Sequence, residues 1–316
     1  MTMRALRVRG CRLELDACAA APDVSADEAL LRPLFVAVSR TDIETTPDGV
    51  IAGRECVAEV VASDGSSRVR VGQRCIISPV LNCGVCELCR GGLWTHCAKG
   101  RELATSRAAG CLAERIAVAP VNLVEVPSTV ADDAAAMAVA VGRAMHALRC
   151  GGEGTRGYVT IIGDGATALL AGQILLRTNR QVRIAWARPR SVDVCERWRI
   201  AHRNLTEVGR RGDQDVVIDA RGDAASIAAA LAMLKPRGCL VLAAVPPPAT
   251  TIDPAPIRDR ELHVVGSRGV LIREALALVA AQHIDVGALV SARCRLEDLP
   301  AAIARESEAV RILVAV

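Results

Sequence analysis

The sequence is poor in aromatic residues. Its 316 residues include three tryptophans, one tyrosine and one phenylalanine. So few rings exclude a surface that binds single-stranded nucleic acid by base stacking. Basic residues are not concentrated either, since 39 basic and 35 acidic residues give a net charge of +4. A dedicated nucleic-acid-binding protein has a concentrated basic stripe, and we therefore expect no nucleic-acid partner.

Long apolar runs are also missing. The best candidate, Ala134 to Val141, ends at Gly142 and falls short of the roughly 18 residues of a membrane span. The first residues, Met1 to Ala5, lack the uninterrupted apolar segment of a signal peptide. Thirteen cysteines, an odd number, fit a reducing compartment better than a disulfide framework. We expect a cytoplasmic protein without a membrane partner.

Length and hydropathy favour two folded domains. At roughly 150 residues per domain the length suggests two, and the apolar fraction of 51% excludes a disordered chain. Residues 4–16, 29–38, 57–62 and 74–79 are typical of short strands, which predicts a mostly β first domain. After Gly151 strands alternate with helices, and this pattern predicts parallel βαβ units.

A glycine-rich turn joins a predicted strand to a predicted helix. Residues 163–168, GDGATA, match the pattern G-x-G-x-x-A. Gly163 permits the tight turn, Gly165 lets the backbone approach a pyrophosphate, and Ala168 is small enough for helix–strand packing. The alternative is a tight turn that binds nothing, but the strand–turn–helix context favours a dinucleotide site.

The end of the following predicted strand carries no acidic residue. An NAD site favours Asp or Glu there, whereas this sequence has Arg188 and Arg190. Arginines can bind a 2′-phosphate, so NADP is favoured over NAD. The alternative is that both side chains only face solvent.

The strongest motif is a cluster of four cysteines. Cys83, Cys86, Cys89 and Cys97 lie within 15 residues. Four thiolates close a tetrahedral zinc site completely, which is typical of structural rather than catalytic zinc. An iron–sulfur site and a chance cluster of buried cysteines are the alternatives.

A β domain with this cysteine lobe, followed by a nucleotide domain and a return segment, resembles the medium-chain dehydrogenase/reductase superfamily. Within it the chain is similar to zinc-containing alcohol dehydrogenases and their threonine and polyol dehydrogenase relatives. The resemblance spans essentially the whole chain. Besides the cysteine and glycine motifs, it depends on Ser39-Arg40-Thr41-Asp42, Gly53-Arg54-Glu55, Gly91-Gly92-Leu93-Trp94-Thr95-His96 and Leu234-Lys235-Pro236-Arg237-Gly238.

The resemblance implies an α/β fold with two domains. Residues 1–139 with 268–316 would form a mostly β GroES-like catalytic domain, with a structural zinc lobe at 83–97. Residues 140–267 would form a Rossmann domain with a doubly wound parallel sheet. A small-molecule substrate and a homodimer or homotetramer are implied as well.

The ligands of the family's catalytic zinc are replaced in this sequence. Ser39 stands at the usual cysteine position, Arg54 at the histidine position, and Val139 at the third ligand position. Serine and valine are poor zinc ligands, and a guanidinium cannot bind zinc. Of the residues that the family uses at the metal only Glu55 remains. We therefore expect one structural zinc per chain and no catalytic zinc.

The resemblance implies roles for the remaining polar residues. Thr41 matches the hydroxyl that relays the substrate proton, with Ser39 as a second hydroxyl, and Arg40 matches a position that reaches the cofactor pyrophosphate. The alternative for the Ser/Thr pair is to cap a turn. Arg54 either donates hydrogen bonds to a substrate oxygen or pairs with Glu55.

Three functions are open at this point. The first is an NAD(P)(H)-dependent oxidoreductase that works without catalytic zinc on an activated C=O or conjugated C=C bond. The second is an alcohol dehydrogenase whose zinc site is rebuilt from Glu55 with Cys56 or His146. The third is a catalytically silent protein that binds a nucleotide or a partner.

Overall fold

The computed structural model describes residues 1–63, 69–179, 181–188, 191–244, 251–306 and 309–316. The chain divides into two compact units, Met1–Val139 with Ile272–Val316, and Ala140–Leu271. The second boundary therefore falls after residue 271 rather than after the predicted residue 267. The predicted fold class, a parallel α/β domain beside a mostly β domain, is confirmed. No helix of the described residues is long and apolar enough to span a membrane.

The amino-terminal part of the first unit consists mainly of strands. Its elements are β1 (Thr2–Arg9), β2 (Arg12–Ala20), β3 (Ala29–Val38), α1 (Arg40–Glu44), β4 (Glu55–Ala62), β5 (Arg74–Ile77), β6 (Val80–Leu81), α2 (Glu87–Arg90), β7 (Arg101–Glu102), β8 (Ile116–Val118), β9 (Leu123–Glu125) and α3 (Asp132–Ala135).

The second unit alternates strands and helices. Its elements are α4 (Ala138–Gly151, which begins at the unit boundary), β10 (Val159–Ile162), α5 (Ala166–Leu176), β11 (Val182–Trp186), α6 (Val192–Trp198), β12 (Ala201–Asn204), β13 (Gln214–Asp219), α7 (Ala224–Met233), β14 (Leu234–Leu242), α8 (Ala255–Asp259) and β15 (His263–Gly266). The parallel sheet has the order β12-β11-β10-β13-β14-β15. The order reverses next to β10, and ligands of open α/β sheets bind at such a switch point.

The return segment completes the first unit. It contributes α9 (Ile272–Ala280), β16 (Val290–Arg295), α10 (Leu299–Arg305) and β17 (Arg311–Ala315). The main sheet of this unit has the order β16-β17-β3-β4-β5-β9. β17 and β4 therefore flank β3, which brings residues from opposite ends of the sequence onto one sheet.

The first predicted strand is two strands in the structure. Residues 4–16 contain a turn at Gly10 and Cys11, which have φ angles of +54° and +61°. This left-handed geometry closes the hairpin of β1 and β2. The large apolar residues change from even positions, Leu6 and Val8, to odd positions, Leu13 and Leu15, across this turn. This change of parity was the sequence signal of the break.

Candidate functional site

The four-cysteine cluster is assembled within one loop of the first unit. Its sulfur atoms all lie within 4.8 Å of one another, and the Cys86–Cys89, Cys86–Cys97 and Cys83–Cys97 Sγ distances are 3.4, 3.8 and 3.6 Å. Zn–S bonds of about 2.3 Å in a tetrahedron require sulfur separations of about 3.8 Å. The backbone N–H groups of Val85 and Cys86 lower the pKa of Cys83 to about 6. The donor set therefore fits a fully ligated zinc ion.

An amide pair anchors the base of this loop. The Asn82 backbone N–H and side-chain Nδ2 both donate to Asn122 Oδ1 at 2.8 Å, and Asn122 Nδ2 donates back to the Asn82 carbonyl at 3.1 Å. Gly84 has a φ of +70°, and a Cβ there would lie 2.7 Å from Val121. Sequence reasoning missed both asparagines, because the spacing of the cysteines gives no information about the residues that support them.

The glycine turn has the geometry of a dinucleotide loop. Gly163 has a φ of +142°, and a Cβ at this position would lie 3.2 Å from Ala168 Cβ and 3.3 Å from Ala220 Cβ. Gly165 is the N-cap of α5, and no atom lies within 4 Å of a Cβ built there. The open space at Gly165, next to the N–H groups of a helix N-terminus, fits a pyrophosphate.

Asp164 connects this turn to the end of β11. Its side chain is buried, and its Oδ2 accepts a hydrogen bond from the Arg188 backbone N–H at 3.1 Å. This contact holds Arg188 beside the glycine turn, while the Arg188 side chain is exposed. Arg190, the other predicted phosphate ligand, lies outside the described residues.

Ser39 and Arg40 are engaged within α1. Ser39 is the N-cap, and its hydroxyl donates to Asp42 Oδ2 at 2.6 Å. Arg40 pairs with Glu44 at 3.2 Å. Thr41 is exposed in the first turn of the helix, and its backbone carbonyl accepts from the Thr45 hydroxyl. Of the two candidate hydroxyls, Ser39 therefore caps the helix, and Thr41 is the exposed one.

Arg54 connects the carboxyl end of α1 to the loop at residues 103–104 through hydrogen bonds. Its Nε donates to the Leu103 carbonyl at 3.1 Å, and its Nη1 donates to Thr45 Oγ1 at 2.8 Å. Its Nη2 donates to the carbonyls of Thr45 and Ala104, each at 3.2 Å. The suggested pairing of Arg54 with Glu55 is wrong, because the guanidinium donates to three backbone carbonyls and to the Thr45 hydroxyl. Four of the five N–H donors of an arginine are thus engaged.

Glu55 pairs instead with Arg311, at the start of β17. Arg311 Nη2 lies 3.4 Å from both Glu55 carboxylate oxygens, and the two side chains are 9% and 1% exposed. Burial by itself lowers the pKa of Arg311, but the carboxylates of Glu55 and Asp42 outweigh it and raise that pKa overall. Arg311 was not among the predicted site residues. A signal for it was present, since it is a charged residue beside the apolar run 312–316.

His146 and Cys56, the side chains considered for a rebuilt metal site, have other neighbours. His146 Nδ1 is 2.8 Å from Ser267 Oγ in the second unit, and Cys56 is fully buried in β4 beside Cys111. Val139 is fully buried too. Among the described residues, the four-cysteine cluster is the only group of three or more potential metal ligands close enough to share an ion.

Comparisons with known proteins find similarity to dehydrogenases. Residues 25–128 match the alcohol dehydrogenase GroES-like domain. The chain is 23% identical over 305 residues to L-threonine 3-dehydrogenase of Photorhabdus laumondii, with 88% of each chain covered. It is 23% identical over 268 residues to sorbitol dehydrogenase of Bacillus subtilis, covering 78% of this chain and 76% of that protein.

Solved structures share the whole fold. The alcohol dehydrogenase TADH from Thermus sp. ATN1 has a TM-score of 0.87 at 22% identity, with 99% of each chain covered. A structure from Sinorhizobium meliloti 1021, described as a zinc-binding dehydrogenase bound to NADP, has a TM-score of 0.86 at 23% identity over 100% of both chains. Fold, glycine turn and relatives together define an oxidoreductase of the dehydrogenase class. Residues 25–128 match the alcohol dehydrogenase GroES-like domain, and the chain as a whole is similar to the zinc-containing alcohol dehydrogenase-like branch of the medium-chain dehydrogenase/reductase superfamily.

Proposed function

We propose that this protein is an NADP(H)-dependent oxidoreductase that works without a catalytic zinc and reduces an activated C=O or conjugated C=C bond. The observation that carries the proposal is what the side chains contact at the positions where the resembled family has its catalytic zinc ligands. Ser39 caps a helix, Arg54 bonds to backbone carbonyls, and Glu55 is neutralised by Arg311. With the buried Val139, these side chains offer zinc no adequate donor set. An activated substrate has less need of the Lewis acid, which in metal-dependent relatives stabilises developing charge.

The residues of the second unit hold the cofactor. A nicotinamide dinucleotide, when bound, supplies or accepts the hydride. Gly165 leaves room for its pyrophosphate, and Gly163 and Ala168 keep the turn close to the sheet. The exposed Arg188 side chain, beside the same turn, favours a 2′-phosphate and hence NADP.

Thr41 is the proposed proton donor to the reduced substrate. It is exposed at the start of α1, whereas the Ser39 hydroxyl is committed to Asp42. The Arg54 clamp holds the carboxyl end of the same helix through Thr45 and so fixes the position of Thr41. One Nη1 hydrogen of Arg54 is left over from the four hydrogen bonds and is available to a substrate oxygen.

The test is oxidation of NADPH by a panel of activated carbonyl and enone compounds, in the presence of EDTA. We expect turnover that EDTA does not abolish. Thr41→Val should lower turnover at least about tenfold, as removal of a general acid does, while the dissociation constant of NADPH stays the same. Turnover that requires added zinc would contradict the zinc-free mechanism.

A catalytically silent nucleotide-binding protein is the second candidate. It is favoured by one observation, the engagement of Ser39 and of most Arg54 donors in internal hydrogen bonds. Tight binding of NADPH with no turnover across the panel would establish this function instead.

We also propose that two copies associate through the edge of the parallel sheet. β15 is the last strand in the sheet order, and Val264 and Val265 on it are 39% and 36% exposed. An exposed apolar edge strand is suited to pairing with a second strand. Light scattering tests this directly, and Val265→Lys should shift a dimer to monomer.

All thirteen cysteines are free, which supports a location in the reducing cytoplasm.

A further inference from the structure

One crossover of the parallel sheet contains no helix. The crossovers from β10 to β11, β11 to β12, β13 to β14 and β14 to β15 contain α5, α6, α7 and α8, respectively, whereas residues 205–213, between β12 and β13, form turns and loop. Parallel sheets are normally covered by helices on both faces. The missing helix leaves part of the β11–β12 face accessible.

A cavity of about 480 Å³ opens at this place. Its lining includes Arg183 from β11, Arg203 from β12, and Glu207, Arg211 and Asp213 from the loop that replaces the helix. The volume lies within the 300–1,000 Å³ that is typical of small-molecule sites. Three guanidinium groups and two carboxylates line it, so its wall has an excess of positive charge.

Arg183 is held in position by a chain of hydrogen bonds. Its Nε donates to Thr160 Oγ1 at 2.8 Å, and the Thr160 hydroxyl donates to Gln214 Oε1 at 2.7 Å. Gln214 Nε2 in turn donates to Asp213 Oδ1 at 2.7 Å. Thr160 and Gln214 are buried, so this network is part of the sheet core. It fixes the Arg183 side chain through Nε and leaves both Nη groups for another partner.

None of the three arginines forms an ion pair within 4.0 Å with a residue that the structure describes. Burial lowers the pKa of Arg183, Asp213 opposes this effect, and the neighbouring charge of Arg203 adds to it. A guanidinium that is partly desolvated and close to a second cation is stabilised by an external anion.

We propose that this cavity is a second anion-binding site, which takes a small molecule carrying a phosphate group. A guanidinium group binds a phosphate through two parallel N–H···O hydrogen bonds. Several guanidinium groups around one cavity are therefore suited to a doubly charged phosphate. The cavity volume leaves room for an organic part beside the phosphate.

The proposed site is separate from the glycine turn. Arg183 lies beside Thr160, the second residue of β10, whereas Gly163 follows the last residue of that strand. The lining also reaches Arg203, which pairs with Ala185 near the carboxyl end of β11, but it includes no residue of the glycine turn and does not include Arg188. The inference is thus independent of the proposed oxidoreductase activity.

The experiment is calorimetric titration with glucose 6-phosphate and with inorganic phosphate. The parent protein is a Gly165→Val variant, because the added side chain fills the space at the glycine turn and removes that competing phosphate site. We expect the parent to bind glucose 6-phosphate more tightly than inorganic phosphate. Arg211→Gln in this parent should weaken the binding about tenfold or more, the usual effect of removing a charge-assisted hydrogen bond.

Arg210→Gln is the matched control, because Arg210 is exposed and adjacent in sequence but does not line the cavity. It should leave the affinity within about twofold. Equal weakening by both variants would show nonspecific attraction and overturn the proposal, as would absence of binding to the parent or no preference for the sugar phosphate. Arg183→Met in the same parent should also weaken the binding of glucose 6-phosphate. If Arg183→Met fails to fold, the titration of Arg211→Gln still decides the proposal.

Discussion

The Glu55 carboxylate and the Arg311 guanidinium, 256 residues apart in the chain, form a buried ion pair in the sheet of the first unit. The resemblance predicts that Glu55 is the one residue of the family's metal environment that this chain keeps. Its negative charge is balanced in the structure by Arg311, and an isolated carboxylate in this interior would be strongly destabilised.

Breaking this pair on one side should destabilise the protein. We expect Arg311→Met to lower the free energy of unfolding by about 3 to 5 kcal/mol, because it leaves an uncompensated buried carboxylate. Urea denaturation measures the change. Arg293→Met is the control, since the Arg293–Asp133 pair has side chains 57% and 40% exposed and should contribute about 0 to 1 kcal/mol. Equal losses of unfolding free energy in the two variants would show that the buried Glu55–Arg311 pair contributes no more to stability than an exposed pair.

Zinc content distinguishes a structural from a catalytic metal. We expect about one zinc per chain by atomic spectroscopy, and Cys89→Ser should lose it and lower the thermal stability, because structural zinc contributes directly to folding. Cys18→Ser, at an exposed cysteine outside the cluster, should retain both. Two zinc ions per chain would mean that a second ligand set exists, and the zinc-dependent mechanism would then replace the one proposed.

The two glycines of the nucleotide turn should respond differently to substitution. Gly163→Ala introduces a Cβ at positive φ, 3.2 Å from Ala168 Cβ, and is expected to lower the free energy of unfolding by about 1 kcal/mol or more. Gly165→Val faces open space and should leave stability unchanged while weakening NADPH binding at least about tenfold. Fluorescence titration and thermal melting of both variants check this difference. Unaltered NADPH affinity in Gly165→Val would remove the glycine turn from the binding site.

The start of α7 should make stability depend on pH. Burial raises the pKa of Asp223, but hydrogen bonds from the Ser226 N–H and Arg221 outweigh it and lower that pKa overall. A carboxyl whose pKa is lower in the folded state stabilises the fold above its unfolded pKa of about 3.9, and this contribution is lost as the pH falls through the folded value.

Asp223→Asn should therefore be less stable than the wild type by about 1 kcal/mol at pH 7, with a difference that shrinks towards pH 3. Urea denaturation at several pH values measures it. Asp27→Asn, at an exposed carboxyl, provides the comparison and should show little difference at any pH. A constant difference between wild type and Asp223→Asn over this range would argue against a charge effect at the helix start.

Motifs contained in one short segment could be predicted from the sequence. The cysteine spacing indicated a cluster that the structure assembles, and GDGATA indicated a turn that the structure places between β10 and α5. Alternating strands and helices predicted the parallel sheet correctly. The hairpin turn at Gly10 and Cys11 was missed, although the apolar alternation changes parity between Val8 and Leu13 and so marks it.

Residues separated by long stretches of sequence gave no comparable signal. One of the two roles predicted for Arg54 was a pairing with its neighbour Glu55, but adjacent residues of an extended chain project in opposite directions. In the structure Arg54 reaches Thr45 and the loop at 103–104, and Glu55 reaches Arg311. Strand order decided the partner of Glu55, because β17 and β4 flank β3.

The sequence by itself therefore determined the class of protein, the cysteine cluster and the glycine turn, since short spacings constrain geometry within a single loop. It also predicted which ligands of the resembled family's catalytic zinc are replaced, because that prediction depends only on residue type. Only the tertiary structure decided what each replacement does and which charges are neutralised. Sheet order, register and a crossover without a helix bring distant side chains together, and these long-range contacts leave no periodic pattern in the sequence.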